Sequence, residues 1–582
     1  SLYHIKSQMA IYCANYCPKG IFIMKKQNFI HGSLILIASA AVSKVIGAIF
    51  RIPLANMLGG TGMGYFSSAY GVFMTVYAVS VTGLPVAAAK LTAECAALGK
   101  YDRMKHIKRT AIIIFTLIGL VSTLLTLALA YPFCAFVSKS PEAVLAVIAI
   151  APSILFGCVT ACYRGFYEGR RNMYPTAVSQ VVEALVKLAA GLALCSTVLN
   201  APKEKLYRAA EIICRLLPFN ADTFSADKLI MPLAAAAAVA GVTLSAFAGT
   251  VYVVLRDIFG EKIHTDTRSV SSEDDSFRVI AKQLFAIMIP VAVGSLITNL
   301  TSLIDLATII RSLSAAVKAS PQFFERYAIS TDALPNFFFG SFTGLAVTVF
   351  NLIPSFTNMF GKGAVPAVAE GFAEGDTAKI KRSAMNVIFT SAFIAVPSGI
   401  GITLLAPQIL ELLFPTRHIE NEICAVPLRV LGIGVIFLSV SSVLFSVLQA
   451  AGKGAVPVKI MLIGVAVKLA GNLLLVRIPL LNVTGAAIST VVCYGIIFIL
   501  AVYEAHRCTG IKISDVLILI FKTVFCGLIC GGAALLCYSI LAKTVDSALI
   551  LFAAIAFGGV FYIISTHLSG ILTKTTLKLL IC

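Results

Sequence analysis

FIHGSLILIASAAVSKVIGAIFRIPLANMLGG, residues 29–60, is long and apolar enough to cross a bilayer, yet Lys44 lies well inside it and Arg51 follows seven residues later. A cation at mid-membrane costs roughly 2.5–3.5 kcal/mol on insertion scales, so such a residue faces a protein interior or a wet cavity. Seven residues make almost two helical turns, which puts Lys44 and Arg51 on one face with Gly47 and Ala48 between them. That face is a basic wall of small residues. Arg51, next to Pro53 and a pair of glycines, has the alternative of snorkelling to the headgroups.

The whole chain repeats this character. Of its 582 residues 59% are hydrophobic and only 13% charged. Apolar stretches of about 20 residues recur from end to end, about fourteen in all, which predicts an all-α polytopic membrane protein. The turn-punctuated period-2 pattern of an outer-membrane barrel is absent. A net charge of +19 could point to nucleic acid, but the basic residues sit mostly in short loops between apolar runs, where membrane topology puts them. No nucleic-acid partner is therefore expected. The 15 cysteines are scattered through apolar segments without histidine at metal-ligand spacing, so they read as small buried residues and no metal site is expected.

Lys and Arg cluster in alternate loops, at Lys100 to Arg109, at Arg164 to Arg171 and at Lys379 to Arg382. The positive-inside rule then makes both termini cytosolic, in a multi-pass protein of a bacterial cytoplasmic membrane. Residues 1–28 precede the first span and lack a signal-peptide pattern. They are expected to form a cytosolic extension, with Met24-Lys25-Lys26 as a natural start.

The chain also repeats itself. YFSSAYGVFMTVYAVSVTGLPVAAAKLTAE (65–94) is answered by FFGSFTGLAVTVFNLIPSFTNMFGKGAVPAVAE (338–370), and each runs into a basic loop with a matching restart, Ile107-Lys108-Arg109-Thr110 and Ile380-Lys381-Arg382-Ser383. Gly169, Pro175 and Lys187 are echoed by Gly452, Pro457 and Lys468. The expected organisation is an N-lobe of six spans at 29–255, a polar cytosolic linker at 256–278, a C-lobe of six spans at 279–505, and two further spans with a cytosolic tail at 506–582. An even number of spans per copy relates the lobes by an axis along the membrane normal, an arrangement suited to alternating access around a central cavity.

Polar residues inside spans are the candidates for function. Span 7 (279–310), the repeat mate of span 1, carries Asn299, Ser302 and Asp305, and span 8 (336–360) carries Asn351, Ser355 and Asn358 on one face. Span 5 has Glu183 and Lys187, and span 11 has Lys468 and Asn472, each pair one turn apart. Glu183 and Lys187 have the spacing to neutralise each other within one helix. Asp305, with no local partner, is either a charge partner for a cation on another helix or a coupling-ion site. The span 8 stripe is either interhelical glue or polar lining for a substrate.

On these residues the chain resembles the multidrug/oligosaccharidyl-lipid/polysaccharide exporter superfamily, and within it the MurJ-like lipid II flippases of the stage V sporulation protein B branch. The resemblance rests on SKVIGAIFRIPLANMLGGTGMG (43–64), GLPVAAAKLTAE (83–94) and YRGFYEGRRNMYPTAVSQVVEALVKL (163–188), and it covers nearly the whole chain from about Lys25. It implies a V-shaped pair of lobes, a cationic central cavity, and two added helices that form a hydrophobic groove. The implied substrate is an undecaprenyl-pyrophosphate-linked cell-wall precursor. The family's pyrophosphate-binding cations map onto Lys44 and, with a one-residue offset, Arg51; Lys90 corresponds to the span 2 cation. The family's basic residue at the start of span 8 has no match in NFFFGSFTGLAVTVF (336–350).

The expected function is thus a flippase rather than an enzyme, acting as a monomer among membrane lipids, with cell-wall synthesis enzymes as protein partners. The alternatives are a flippase for another lipid-linked oligosaccharide and a cation-coupled multidrug antiporter. No cofactor is expected, and a coupling ion, whether sodium, proton or chloride, is left open. A membrane glycosyltransferase would need a carboxylate pair facing a cleft, and the adjacent pair Asp274-Asp275 lies in the serine-rich linker, where charge is normally solvated.

Overall fold

A computed structural model describes residues 29–202, 204–206, 208, 226–259, 276–327, 329–543 and 549–572. The expected N-terminal extension and most of the expected linker, residues 260–275, lie outside the described residues. Among the described residues the regular structure is helical throughout, with no strand. The helices are α1 (Phe29–Ser80), α2 (Gly83–Ala97), α3 (Tyr101–Pro132), α4 (Val144–Ile150), α5 (Pro152–Gly169), α6 (Tyr174–Leu199), α7 (Ala226–Ile258) and α8 (Phe277–Ala319). They continue with α9 (Pro321–Phe324), α10 (Leu334–Ser341), α11 (Val347–Glu374), α12 (Thr377–Leu404), α13 (Ala406–Leu413), α14 (His418–Ala450), α15 (Ala455–Leu475), α16 (Asn482–Thr509), α17 (Ile513–Leu541) and α18 (Leu549–Leu568).

Among the described residues fourteen segments are long and apolar enough to cross a membrane. The agreement with the sequence reading is close in number but not in every boundary. Leu34–Ala97 is a single 64-residue segment that takes in the first two expected spans. Between them the chain kinks at Gly59, whose φ of 60° and ψ of −171° leave the helical region without ending the helix. Only glycine enters that conformation without strain. The seventh expected span likewise continues past residue 310 to Ala319, because no Pro or Gly lies between Ile310 and Ser320.

The two halves meet where α1 packs against α10, α8 and the turn that follows α10. Leu54, Leu58 and Met63 are fully buried there against Phe338, Phe342, Phe414 and Leu428. Glycines let the backbones approach: a Cβ on Gly340 would fall 1.8 Å from the carbonyl oxygen of Gly60, and one on Gly64 would fall 2.5 Å from that of Asn336. Close backbone approach through small residues is how membrane helices pack where no hydrophobic driving force separates them from lipid. A second contact between halves joins α2 to α8, with Gly83 against the Met288 carbonyl.

Helices α17 and α18 form a hairpin against α12, with Gly527 and Gly531 facing Ile400 and Leu404. The Tyr562 hydroxyl donates to the Phe393 carbonyl at 2.9 Å, anchoring α18. The outer faces of this hairpin, including Leu517, Phe521, Phe525, Phe552 and Ile563, are exposed and apolar, as a lipid-facing surface requires.

Candidate anion site and the latch between the halves

The face predicted on the first helix is present on α1, with Lys44 exposed and Arg51 half-buried. Arg51 lies where the halves converge: its Nη2 donates to the Thr343 carbonyl at 3.3 Å. Thr343 belongs to a π-helical turn, Phe342–Ala346, between α10 and α11. Such a turn shifts the hydrogen-bond ladder, which lets a main-chain carbonyl accept from outside the helix. Nε of Arg51 is buried with no protein partner, so the guanidinium keeps donor capacity for a ligand.

Lys187 approaches the same face from α6. A Cβ built on Gly47 would sit 4.0 Å from Nζ of Lys187, and that ammonium lies 5.6 Å from the centre of the Phe50 ring. The expected Glu183–Lys187 pair is not what forms. Glu183 Oε1 instead meets Arg164 Nη2 of α5 at 2.8 Å, and Arg164 Nε also donates to Ser179 Oγ at 2.8 Å. A guanidinium fork that satisfies a carboxylate and a hydroxyl together outcompetes a flexible lysine on the carboxylate's own helix. Lys187 makes no ion pair among the described residues and is left to the face of α1.

In the other half the corresponding lysine has the opposite fate. Nζ of Lys468 lies 2.6 Å from Asp305 Oδ2, with the lysine side chain only 5% exposed. Asn472 Nδ2 donates to Asp305 Oδ1 and to Thr308 Oγ1, both at 3.0 Å. Of the two roles open to Asp305, the structure provides the charge partner on another helix, across α8 and α15.

A polar latch closes the halves at the Gly59 kink. The kink breaks the helical ladder, leaving carbonyls at Asn56 and Met57 and the N–H of Gly60 without partners inside α1. Arg417 Nε donates to the Asn56 carbonyl at 3.0 Å and Nη2 to the Met57 carbonyl at 3.0 Å, while Glu420 Oε1 accepts from Gly60 N at 3.0 Å. A cation thus sits at the C-terminal end of one helical segment and an anion at the N-terminal end of the next, each matching the local helix dipole. Asn336 Nδ2 donates to the Thr61 carbonyl at 3.0 Å and Asn56 Nδ2 to that of Leu413 at 2.8 Å.

The sequence profile described as lipid II flippase MurJ matches residues 143–555, well over half of the chain. The chain belongs to the MurJ family. A second profile, described as polysaccharide biosynthesis protein, matches residues 29–210. Stage V sporulation protein B of Bacillus subtilis (strain 168) is 24% identical over 511 residues, covering 87% of this chain and 89% of that protein. The lipid II flippase MurJ of the same organism is 23% identical over 479 residues, covering 80% of each. Among solved structures, the lipid II flippase MurJ in an inward closed conformation matches with a TM-score of 0.59 at 14% identity, over 92% of this chain and 98% of that one. An inward-facing multidrug transporter of the MATE family matches with a TM-score of 0.60, also at 14% identity, over 83% and 98%. At these identities the structural likeness shows the fold.

Other expected site residues of this MurJ-family chain lie elsewhere. Lys90 is exposed on α2, with no ion pair among the described residues and no hydrogen bond to the Lys44–Arg51 face. Asn351 and Asn358 are exposed on α11, where Asn351 Nδ2 donates to the Val347 carbonyl of its own helix at 2.9 Å. Pro354 and Thr357 of that helix are buried. Two exposed amides within a membrane segment suit a wet cavity far better than lipid. Arg417, Glu420, Asn56 and Asn336 were not singled out from sequence; the sole local signal was the Gly59-Gly60 pair opposite which they close.

Proposed function

We propose that this chain flips an undecaprenyl-pyrophosphate-linked saccharide of the lipid II type across the cytoplasmic membrane by alternating access. The observation that carries the reading is the cationic stripe of Lys44 and Arg51 on α1, which runs up to the junction of the two halves. A lipid-linked pyrophosphate is an anionic head on a chain too long to leave the bilayer. Moving it requires cations for the phosphates, polar groups for the sugars and an opening to lipid at the side. Lys44 supplies a point charge, and Arg51 a fork with an unengaged Nε, both suited to phosphate oxygens. The exposed amides of Asn351 and Asn358 supply hydrogen-bonding groups for sugar.

With both termini cytosolic, the Arg417–Glu420 latch lies at the extracytoplasmic end and the Lys44 end faces the cytosol, where such precursors are made. The head enters past Lys44, reaches Arg51, and is released outward when the latch parts. No coupling cation is assigned to Asp305, because the Lys468 ammonium already occupies that carboxylate. That arrangement disfavours a cation-coupled multidrug antiporter using this carboxylate.

The test is replacement of the essential lipid II flippase in a bacterial host by this chain. Growth, with lipid II reaching an external probe, is the expected result. Failure despite correct membrane insertion would move the substrate to another lipid-linked oligosaccharide, a reading favoured by the polysaccharide biosynthesis profile over residues 29–210.

A further inference from the structure

Two lysines that correspond by the internal repeat meet the first helix of their own halves in opposite ways. Lys468 meets an acid, Asp305, and is buried with it. Lys187 meets a glycine, Gly47, and remains partly exposed. Glycine is not demanded there by packing, since a Cβ at Gly47 would find only the Lys187 ammonium, at 4.0 Å. Nor is the backbone in the left-handed region that favours glycine. What Gly47 does is give Lys187 no carboxylate on α1, while Glu183, the acid of its own helix, makes its direct contact with Arg164.

The charges around Lys187 come from its own helix, from α5 and from α1, while α7, packed along α6, has no charged residue between Lys228 and Arg256. On α6 itself, Glu183 lies one turn earlier and is held by Arg164 of α5. On α1 the facing groups are Lys44, Gly47 and Arg51, with the Phe50 ring against the ammonium. Lys44 and Arg51 are separated by about 10 Å along the helix axis at the usual rise per residue. The two phosphates of a diphosphate share one bridging oxygen and are far more compact than that. Lys187, arriving at Gly47 midway between the two, brings a third cation to the gap.

We infer that Lys187 is a diphosphate-binding residue, that Gly47 keeps it available, and that the anionic head is therefore held by the first half of the molecule alone. The second half cannot serve as an equivalent site, because its lysine is neutralised. The inference rests on the lipid-pyrophosphate reading above and adds to it a residue, a side of the molecule and a preference for diphosphate over monophosphate.

The experiment uses the full chain in nanodiscs carrying either undecaprenyl pyrophosphate or undecaprenyl monophosphate, with binding read by native mass spectrometry. The unsubstituted protein should prefer the diphosphate lipid. Lys187→Ala should lower diphosphate affinity about tenfold, the effect of one charge-assisted contact, and change monophosphate affinity little. Lys187→Arg should recover most of that loss. If Lys187→Ala misfolds, Gly47 provides an independent route: Gly47→Asp, which rebuilds the acid of the second half, should bind the diphosphate lipid about tenfold more weakly than Gly47→Ala. Diphosphate binding unchanged in both Lys187→Ala and Gly47→Asp would overturn the inference while leaving the underlying reading intact. Absence of any diphosphate preference in the unsubstituted protein, together with indifference to Lys44→Ala and Arg51→Ala, would overturn both.

Discussion

Glu420 accepts the backbone N–H of Gly60 at 3.0 Å, joining positions 360 residues apart across the two halves. Arg417, the residue just before α14, takes the Asn56 and Met57 carbonyls on the other flank of Gly59. One short stretch of the second half therefore caps both broken ends of a helix in the first. The kink needs these partners, because buried main-chain groups without them carry a full desolvation penalty.

Removing the latch should shift the molecule toward its open form. Each charge-assisted contact is worth about 1.5–3 kcal/mol, so Arg417→Ala and Glu420→Gln should each raise the open population by tenfold or more. A cysteine placed by Thr343→Cys, beneath the latch, reports this through a membrane-impermeant maleimide. Faster labelling in both variants is the expected outcome, and equal rates would show that other contacts hold the halves together.

Lys44→Ala and Arg51→Ala should abolish transport with insertion intact, since Lys44 is exposed, Arg51 holds the second half through the Thr343 carbonyl, and both line the proposed path. Lys44→Arg should keep activity, because a guanidinium retains the charge and adds a fork suited to phosphate. Flux of a fluorescent lipid-linked substrate in proteoliposomes measures all three. Transport at the unsubstituted rate in both alanine variants would remove span 1 from the binding site.

How far the sequence discloses this arrangement depends on whether a residue's partner is local. Lys44 and Arg51 stand out because a cation inside an apolar run is costly wherever it points. The target of Lys187 does not stand out: Glu183 at the favoured spacing looks sufficient, and only tertiary structure brings Arg164 to claim it. Asp305 can be marked as needing a partner but not given one, since Lys468 lies 163 residues away. Arg417 and Glu420 are hidden for the opposite reason. Charges near span ends are ordinary, so nothing distinguishes two that cap a distant kink from two that meet water. The family resemblance covers nearly the whole chain, with the span 5 motif that holds Lys187 included, while the asymmetry between Gly47 and Asp305 becomes visible only when both contacts are seen.

Asp305→Asn should destabilise the protein by about 3 kcal/mol, because it leaves the Lys468 ammonium buried without its counter-charge. The double substitution Asp305→Leu with Lys468→Met should recover most of that loss, as buried pairs are commonly replaceable by apolar residues of similar size. Thermal unfolding in detergent measures the cycle. Transport by the double variant at the unsubstituted rate, with the same response to sodium and pH, is expected of a structural pair. Loss of transport in a stably folded double variant would return Asp305 to a role in coupling.

Gly340 and Gly401 separate the cost of closure from the cost of glycine itself. A Cβ on Gly340 would lie 1.8 Å from the Gly60 carbonyl oxygen and 2.3 Å from Gly64 N, backbone atoms that cannot turn aside. A Cβ on Gly401 of α12 would find nothing within 4 Å. Gly340→Ala should therefore force α10 away from α1, lower the melting temperature and expose Thr343→Cys to external maleimide, as loss of the latch does. Gly401→Ala should raise stability slightly, by about 0.5–1 kcal/mol, because alanine loses less backbone entropy in a helix than glycine. Opposite signs for the two substitutions would locate the demand for glycine in the crossing of the halves; stabilisation by Gly340→Ala would mean that α1 and α10 do not approach as closely as this geometry requires.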